Sequence, residues 1–527
     1  MQLIDIEPSF DPMWIKVLDQ SRCIGCHACT VACKSENQVP LGVTRTYVKQ
    51  VETGRFPDTR RHFQITRCNQ CLEPPCVTAC PVTAMYQRKD GIVDFDKEAC
   101  IGCKACIAAC PYDAIFINPE DLSAEKCNFC SHKLEVGLEP ACVTVCPAEA
   151  ILIGDLNDPQ SKVATIVGRQ SVNVRRPEKH TQPKMYYVGI DQATLDPLAA
   201  ATPVGGLFQW SEQKNDLAKD YKGKGYFASG MPSPWASNNA AASLLSYDIN
   251  HKRPWDFRVS LYTWTKSISS GVMLFMLIAV VLGFAPLQGP LAQWVSPILA
   301  LVFLGLTGAL LIWDLTHPWR FYKIFTRPQW LSWLTRGAFI IAAYGLGLAL
   351  WFLAAVAGWQ ALQKILIYPL MAAALMTAVY TAFLFAQSKA RDLWQNPLLP
   401  FHMGLQALLS GSAMVGLLSL FTSDATLFQA SLWTLGGSSL VHLLVVWGEI
   451  SLPAVSAHAR LAERHMTKGL FKRYFWFGML LGGLTPLVLL LLLPNAFGLS
   501  LAALCALVGL LAYEHAYVQA GQAVPLA

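Results

Sequence analysis

Beyond residue 146 the chain has a single cysteine, Cys505, and charge is scarce: Asp, Glu, Lys and Arg make up 14% of 527 residues. No phosphate-binding glycine loop, no nucleophile constellation and no metal motif outside the cysteine groups can be found. A substrate site of its own is therefore not expected. The start, Met1-Gln2-Leu3-Ile4-Asp5-Ile6-Glu7, lacks a basic stretch, an apolar run and a twin arginine, so no export leader is expected. The net charge of +6 would suggest an anionic partner if it covered a soluble surface. Much of it lies in loops between apolar segments, which points to membrane topology and away from nucleic acid.

What the chain has in quantity is cysteine near its start. Four groups stand between Cys23 and Pro147: Cys23, Cys26, Cys29 and Cys33; Cys68, Cys71, Cys76 and Cys80; Cys100, Cys103, Cys106 and Cys110; Cys127, Cys130, Cys142 and Cys146. Three groups close with proline (Pro81, Pro111, Pro147), as bacterial ferredoxin runs do. A tight C-x2-C-x2-C loop can supply three thiolates to a cubane, and the fourth cysteine of such a run ligates the other cluster of a pair in two-cluster ferredoxins. By that analogy one cluster takes Cys23, Cys26, Cys29 and Cys146, and its partner Cys33, Cys127, Cys130 and Cys142. The second pair takes Cys68, Cys71, Cys76 and Cys110, then Cys80, Cys100, Cys103 and Cys106. Disulfides or zinc would use the same residue type. Neither explains the repeated Cys-Pro or the aliphatic residues between ligands (Ile101, Ala105, Ile107, Ala108). Four [4Fe–4S] clusters, with no three-iron variant, are the expectation.

Three domains are expected. Residues 1–157 read as an α+β, duplicated ferredoxin-like domain. Its strands fall near Trp14–Leu18, Gly91–Asp96, Ala114–Ile117 and Ala150–Gly154, with an inserted hairpin inside 40–64. Residues 158–258 show no periodicity and much Pro, Gly and Ser, and read as an extended linker that wraps the cluster domain or straps a partner. Residues 259–527 read as an all-α domain of eight transmembrane helices in two four-helix bundles. The expected spans are 263–285, 293–313, 335–357, 362–386, 401–421, 429–450, 472–493 and 499–517.

Eight spans return the chain to the side on which it enters the bilayer. Loops on that side carry eleven Lys or Arg between Arg320 and Arg473, against Lys364 on the far side, so that side is expected to be cytoplasmic. Spans two and six both end in Trp, an acid and a proline (Trp313, Asp314, Pro318; Trp447, Glu449, Pro453), a trace of duplication. Ionisable residues within spans are functional candidates by default. Lys266, Tyr262, Asp314, His442 and Glu449 have the right types and depth to bind a quinone head group and pass its protons. Asp314, His317, Glu449, Glu514 and His515 read equally well as interfacial residues in contact with water. With only His442 clearly inside a span, no haem is expected. No chain of acids crosses to the far side, so turnover is expected to be electroneutral.

The cysteine domain resembles the four-cluster electron-transfer subunits of DMSO reductase-type molybdenum enzymes. The membrane half, through Asp314-Leu315-Thr316-His317-Pro318-Trp319-Arg320-Phe321 and Trp447-Gly448-Glu449-Ile450-Ser451-Leu452-Pro453, resembles the polysulfide reductase membrane subunit (NrfD-like) family. The resemblance implies two subunits fused in one chain and a separate molybdopterin catalytic subunit acting on sulfite, another small oxyanion or formate. It also implies exchange of electrons with menaquinone or ubiquinone in a respiratory chain. A cytoplasmic cluster domain favours relatives such as quinone-linked sulfite dehydrogenases. The alternatives are a quinol-linked relay to a multihaem cytochrome and a redox-driven ion-translocating module.

Overall fold

A computed structural model describes residues 11–55, 57–202, 226–227, 243–422 and 424–527; the expectation for residues 1–7 lies outside the described residues. The chain forms two compact units, Met1–Pro254 with Val524–Ala527, and Trp255–Ala523.

The first unit is built from short strands threaded between cysteine loops. β1 (Trp14–Asp19) buries Ile15, Val17 and Leu18. A hairpin follows, β2 (Thr46–Arg55) and β3 (Asp58–Arg67), then the short pairs β4 (Met85–Gln87) with β5 (Val93–Phe95) and β6 (Ile115–Ile117) with β7 (Ala124–Lys126). β8 (Ile151–Asp155) runs antiparallel to β1. The two short pairs follow matching cysteine groups, as a duplicated module requires. In Cys23-Ile24-Gly25-Cys26-His27 and Cys100-Ile101-Gly102-Cys103-Lys104, the glycine (φ 70° and 71°) and the fifth residue (φ 59° and 61°) are left-handed. That backbone curls each loop round a centre and launches a helix, α1 (Ala28–Glu36) and α2 (Ala105–Ala109), carrying the remaining cysteines.

The stretch expected to be an extended linker completes both larger sheets. β9 (Met185–Val188) lies parallel to β1, giving the order β8-β1-β9. β10 (Ala201–Thr202), β11 (Tyr226–Phe227) and β12 (Ser243–Tyr247) extend the hairpin into the order β11-β10-β12-β2-β3. The unit thus runs to Pro254 rather than 157, because backbone pairing ties these residues to β1 and β2 where side-chain periodicity is too short to be read. Its core mixes Leu18, Val48, Ile65, Ile92, Phe129 and Ile151 with Cys29, Cys68, Cys127 and Cys142.

The second unit has eight helices long and apolar enough to cross a membrane: Phe257–Val281, Leu291–Asp314, Trp333–Val356, Gln360–Gln387, Leu399–Ser419, Ala425–Ser451, Lys472–Leu492 and Ala496–Gln522. They match the expected spans within a few residues and pack as two groups of four. One core centres on Leu277, Leu304, Tyr344 and Trp351, the other on Leu409, Leu435, Leu499 and Ala506. The first span packs against members of both groups. At its crossing with the fifth span, Gly271 and Gly411 meet backbone to backbone, and a Cβ on Gly271 would stand 1.9 Å from the Ala407 carbonyl oxygen.

Candidate functional site

In the first unit all sixteen clustered cysteines carry free thiols, most of them buried. Many of them lie beside other cysteines. Burial, then repulsion from Cys29, Cys146 and Cys26, pushes the Cys23 thiol up to about 11. Burial, with Cys127, Cys142 and Cys130 beside it, pushes Cys33 up to about 12. Cys76 is raised by burial and by Cys68, Cys110 and Cys71, and Cys106 by burial and by Cys103, Cys100 and Cys80. Thiols so placed give up their protons only to a strong Lewis acid, since metal binding replaces the proton. Among the described residues, no three His, Cys, Asp or Glu side chains converge tightly enough for a single ion. That spacing disfavours zinc, which draws its ligands onto one atom, and suits a cubane, whose thiolates sit on separate irons.

The quartets also touch in series. Cys106 feels Cys76, Cys68 feels Cys127, and Cys29 feels Cys142. Taken as the quartets expected from the sequence, they run in the order Cys80/100/103/106, Cys68/71/76/110, Cys33/127/130/142, Cys23/26/29/146. At the last of these Cys26 is exposed, with Ile24, Val31 and Leu41 also exposed in the same stretch of sequence. Met85, Ala124 and Ala150 donate backbone N–H groups to the sulfurs of Cys80, Cys100 and Cys146. Cys142 differs: it accepts from Arg67 Nη1 at 3.0 Å and Lys16 Nζ at 3.6 Å. Burial would raise its pKa, but these two cations outweigh it and bring the thiol down to about 7.

In the second unit a narrow recess of about 20 Å³, room for one water, is lined by residues of the first, fourth, fifth and eighth spans, Lys266, His402, Gln406, Tyr513 and Glu514 among them. Lys266 Nζ donates to the Ala378 carbonyl at 2.7 Å and to the Thr381 hydroxyl at 2.8 Å. The Glu514 carboxylate lies 3.0 Å from the Thr263 hydroxyl. On another wall His402 Nε2 and His442 Nδ1 are 2.9 Å apart, with Tyr513 packed on both rings. Behind His402, Glu449 lies 3.7 Å from Nδ1 and accepts from Asn396 Nδ2 at 2.6 Å.

Of the residues proposed from sequence, Lys266 lines this recess, while His442 and Glu449 reach it through His402. Tyr262 is buried on the same helix as Lys266. Asp314 does not line it; it sits 3.7 Å from Arg258 at the end of the second span, because its helix packs on the outer flank of the first. His402 and Glu514 are additions. His402 lies inside a span and is buried, so the premise that His442 stands alone is corrected. The two histidines hydrogen-bond each other directly. One signal was available: His402, Gln406 and Ser410 recur every four residues on one helical face.

Sulfur quartets in series, carried with an apolar helical unit that encloses a polar recess, define a membrane-anchored iron–sulfur electron-transfer protein. The comparisons agree: residues 14–35 match a 4Fe-4S binding domain and residues 60–156 a 4Fe-4S dicluster domain. Residues 245–526 match the polysulphide reductase NrfD family, and the protein belongs to that family. Over its first third it is 47% identical across 186 residues to a tetrathionate reductase subunit of Salmonella typhimurium, covering 34% of this sequence and 74% of that one. It is 42% identical across 173 residues to a component of the polysulfide reductase of Wolinella succinogenes (32% and 91%). It is also 41% identical across 202 residues to a putative dimethyl sulfoxide reductase iron-sulfur subunit of Halobacterium salinarum (33% and 77%).

Proposed function

We propose that the chain carries electrons between a molybdopterin catalytic subunit and the membrane quinone pool, through four [4Fe–4S] clusters held by the quartets described above. The serial order of the quartets is the observation that carries this reading. When bound, the clusters supply one-electron transfer, and the protein spaces, desolvates and orients them. The catalytic subunit docks at the Cys26 end, where a ligand and apolar side chains are exposed together. Its substrate is a small sulfur compound, such as the sulfite expected from the sequence or the tetrathionate and polysulfide in the names of the relatives.

The quinone head group binds between Lys266 and His402, where the lining side chains part to admit it. A quinone oxygen gains negative charge as it is reduced, and the Lys266 ammonium and the His402 imidazole are cationic or neutral donors suited to it. Glu449 and Asn396 hold the His402 ring and offer it a proton route; Glu514 does the same beside Lys266. With the loops rich in Lys and Arg facing the cytoplasm, both proton routes open to that side and turnover is electroneutral.

The test is metal analysis of the native complex in mild detergent. Molybdenum or tungsten with about 16 iron atoms per chain, four cubanes in all, supports the reading. Haem iron with neither metal would replace it with a relay between quinol and a multihaem cytochrome. Proton pumping by the complex in liposomes would sink the electroneutral arrangement and favour an ion-translocating module.

A further inference from the structure

Arg67 and Lys16 are fully buried cations with no carboxylate to neutralise them among the described residues. Arg67, at the end of β3, and Lys16, in β1, are 1% and 0% exposed. Arg67 donates to Cys142 through Nη1, and its Nε and Nη2 are buried with no partner among the described residues. Lys16 donates to the same sulfur from the other strand and lies over the Phe129 ring, 4.7 Å from its centre. Asn37 Nδ2 stands 3.7 Å from the sulfurs of both Cys33 and Cys130. Donors from Lys16, Asn37 and Arg67 thus converge on one quartet, Cys33/127/130/142.

Neighbouring buried cations are spent elsewhere. Arg45 bonds Glu125 at 2.7 Å and the Asn37 Oδ1 at 2.7 Å, which aims the Asn37 amide at the sulfurs. Lys126 and Lys184 donate to backbone carbonyls, of Val93 and Cys127 and of Gly91. A desolvated guanidinium without a counter-ion is costly. A bound cubane, with its four thiolates, would supply the anionic partner that this guanidinium lacks. This is also where the residues present fit the group.

We propose that Arg67 and Lys16 are positioning residues that hold up the reduction potential of the cluster bound by Cys33, Cys127, Cys130 and Cys142. Reduction moves one electron from an adjacent cluster onto this one and adds one negative charge, with no bond made or broken. A fixed cation on a ligand sulfur, in a site from which water is excluded, favours that extra charge.

The inference rests on the four-quartet reading, and the experiment separates the two. The intact complex with Arg67→Gln, Arg67→Lys or Lys16→Met is titrated potentiometrically while the cluster signals are followed by electron paramagnetic resonance, and iron is counted in parallel. In Arg67→Gln one cluster should become harder to reduce by at least about tenfold in its equilibrium constant, about 59 mV for a one-electron couple. A shift of that size is expected in none of the other three. Arg67→Lys should restore part of the shift, and Lys16→Met should give a lesser one. Full iron with unchanged potentials in Arg67→Gln and Lys16→Met would overturn the proposal. Loss of one cluster's iron in both would also overturn it, by making the cations necessary for assembly rather than for potential. Far fewer than 16 iron atoms in the unaltered protein would sink the quartet reading itself.

Discussion

Replacing Gly271 with alanine probes the crossing on which the membrane unit turns. The added Cβ would stand 1.9 Å from the Ala407 oxygen and 2.9 Å from the Gly411 nitrogen, both backbone atoms that have no rotamer in which to escape. Reaching ordinary contact means parting the first and fifth spans by about 1.5 Å, which opens gaps along both cores they share. Overpacking in a dense core costs about 1–3 kcal/mol, and a backbone clash belongs at the upper end, about 3 kcal/mol. Spread over a domain of this size, that lowers the melting midpoint by roughly 6–12 °C. The same displacement separates Lys266, five residues before Gly271, from His402 on the fifth span, so quinone affinity should fall while the iron content stays whole. The assay is thermal melting of the detergent-purified complex with a quinone-analogue titration. Gly437→Ala is the control, because nothing lies within 4 Å of its added Cβ; it should melt within about 2 °C of the parent, as exposed helix positions tolerate alanine. If Gly271→Ala melted and bound quinone like the parent, close packing at this crossing would be refuted.

Other substitutions read other parts of the molecule. Burial would depress the His251 imidazole, but Asp113 and Asp248, 2.5 and 3.2 Å away, outweigh it and raise it to about 10. Its stabilising contribution is full below about pH 6.5, the unfolded value, and is lost as pH climbs to about 10. His251→Gln should therefore speed hydrogen exchange in β12 at pH 6 and leave it near the parent's at pH 10. Glu125→Gln strands the buried Arg45 guanidinium and should cost about 3–5 kcal/mol, seen as faster iron loss to a chelator. His402→Ala should slow quinone reduction at least about 100-fold, the usual range for a lost proton-transfer group, whereas Asp314→Asn should stay within a few-fold in the same assay. Equal effects of the last two would dismiss the recess as the quinone site.

The cysteine groups and the apolar runs were legible because both write their physics in spacing: a ligand loop cannot stretch, and a bilayer has one thickness. Other features were hidden for equally physical reasons. β9, β10 and β12 are two to five residues long, too short to show alternation, and belong to sheets only through backbone pairing with β1 and β2. His402 fell at the rim of an expected span beginning at 401, whereas the helix begins at Leu399 and turns the imidazole into the bundle. Glu514 looked water-facing beside His515, yet the eighth span continues to Gln522 and keeps the carboxylate two turns inside. Asp314 had the right type and depth, but it lies beside Arg258 and outside the lining of the recess. Depth can be counted along a sequence; the rotation of a helix about its axis is settled by its neighbours.

The first span is 78% buried, against 28–61% for the other seven, and its mean hydropathy of 1.6 is among the lowest of the eight. It is also the first of them to leave the ribosome. Its polar residues Thr263, Lys266 and Ser267 find their final partners on helices that are translated more than a hundred residues later. Until those arrive, an ammonium must stand in lipid or in the protein-conducting channel, at a cost of about 2.5–3.5 kcal/mol if it enters the bilayer centre alone. Biogenesis of this protein is thus a problem of custody: its earliest transmembrane helix must be held by the insertion machinery until the fourth, fifth and eighth helices come to enclose it.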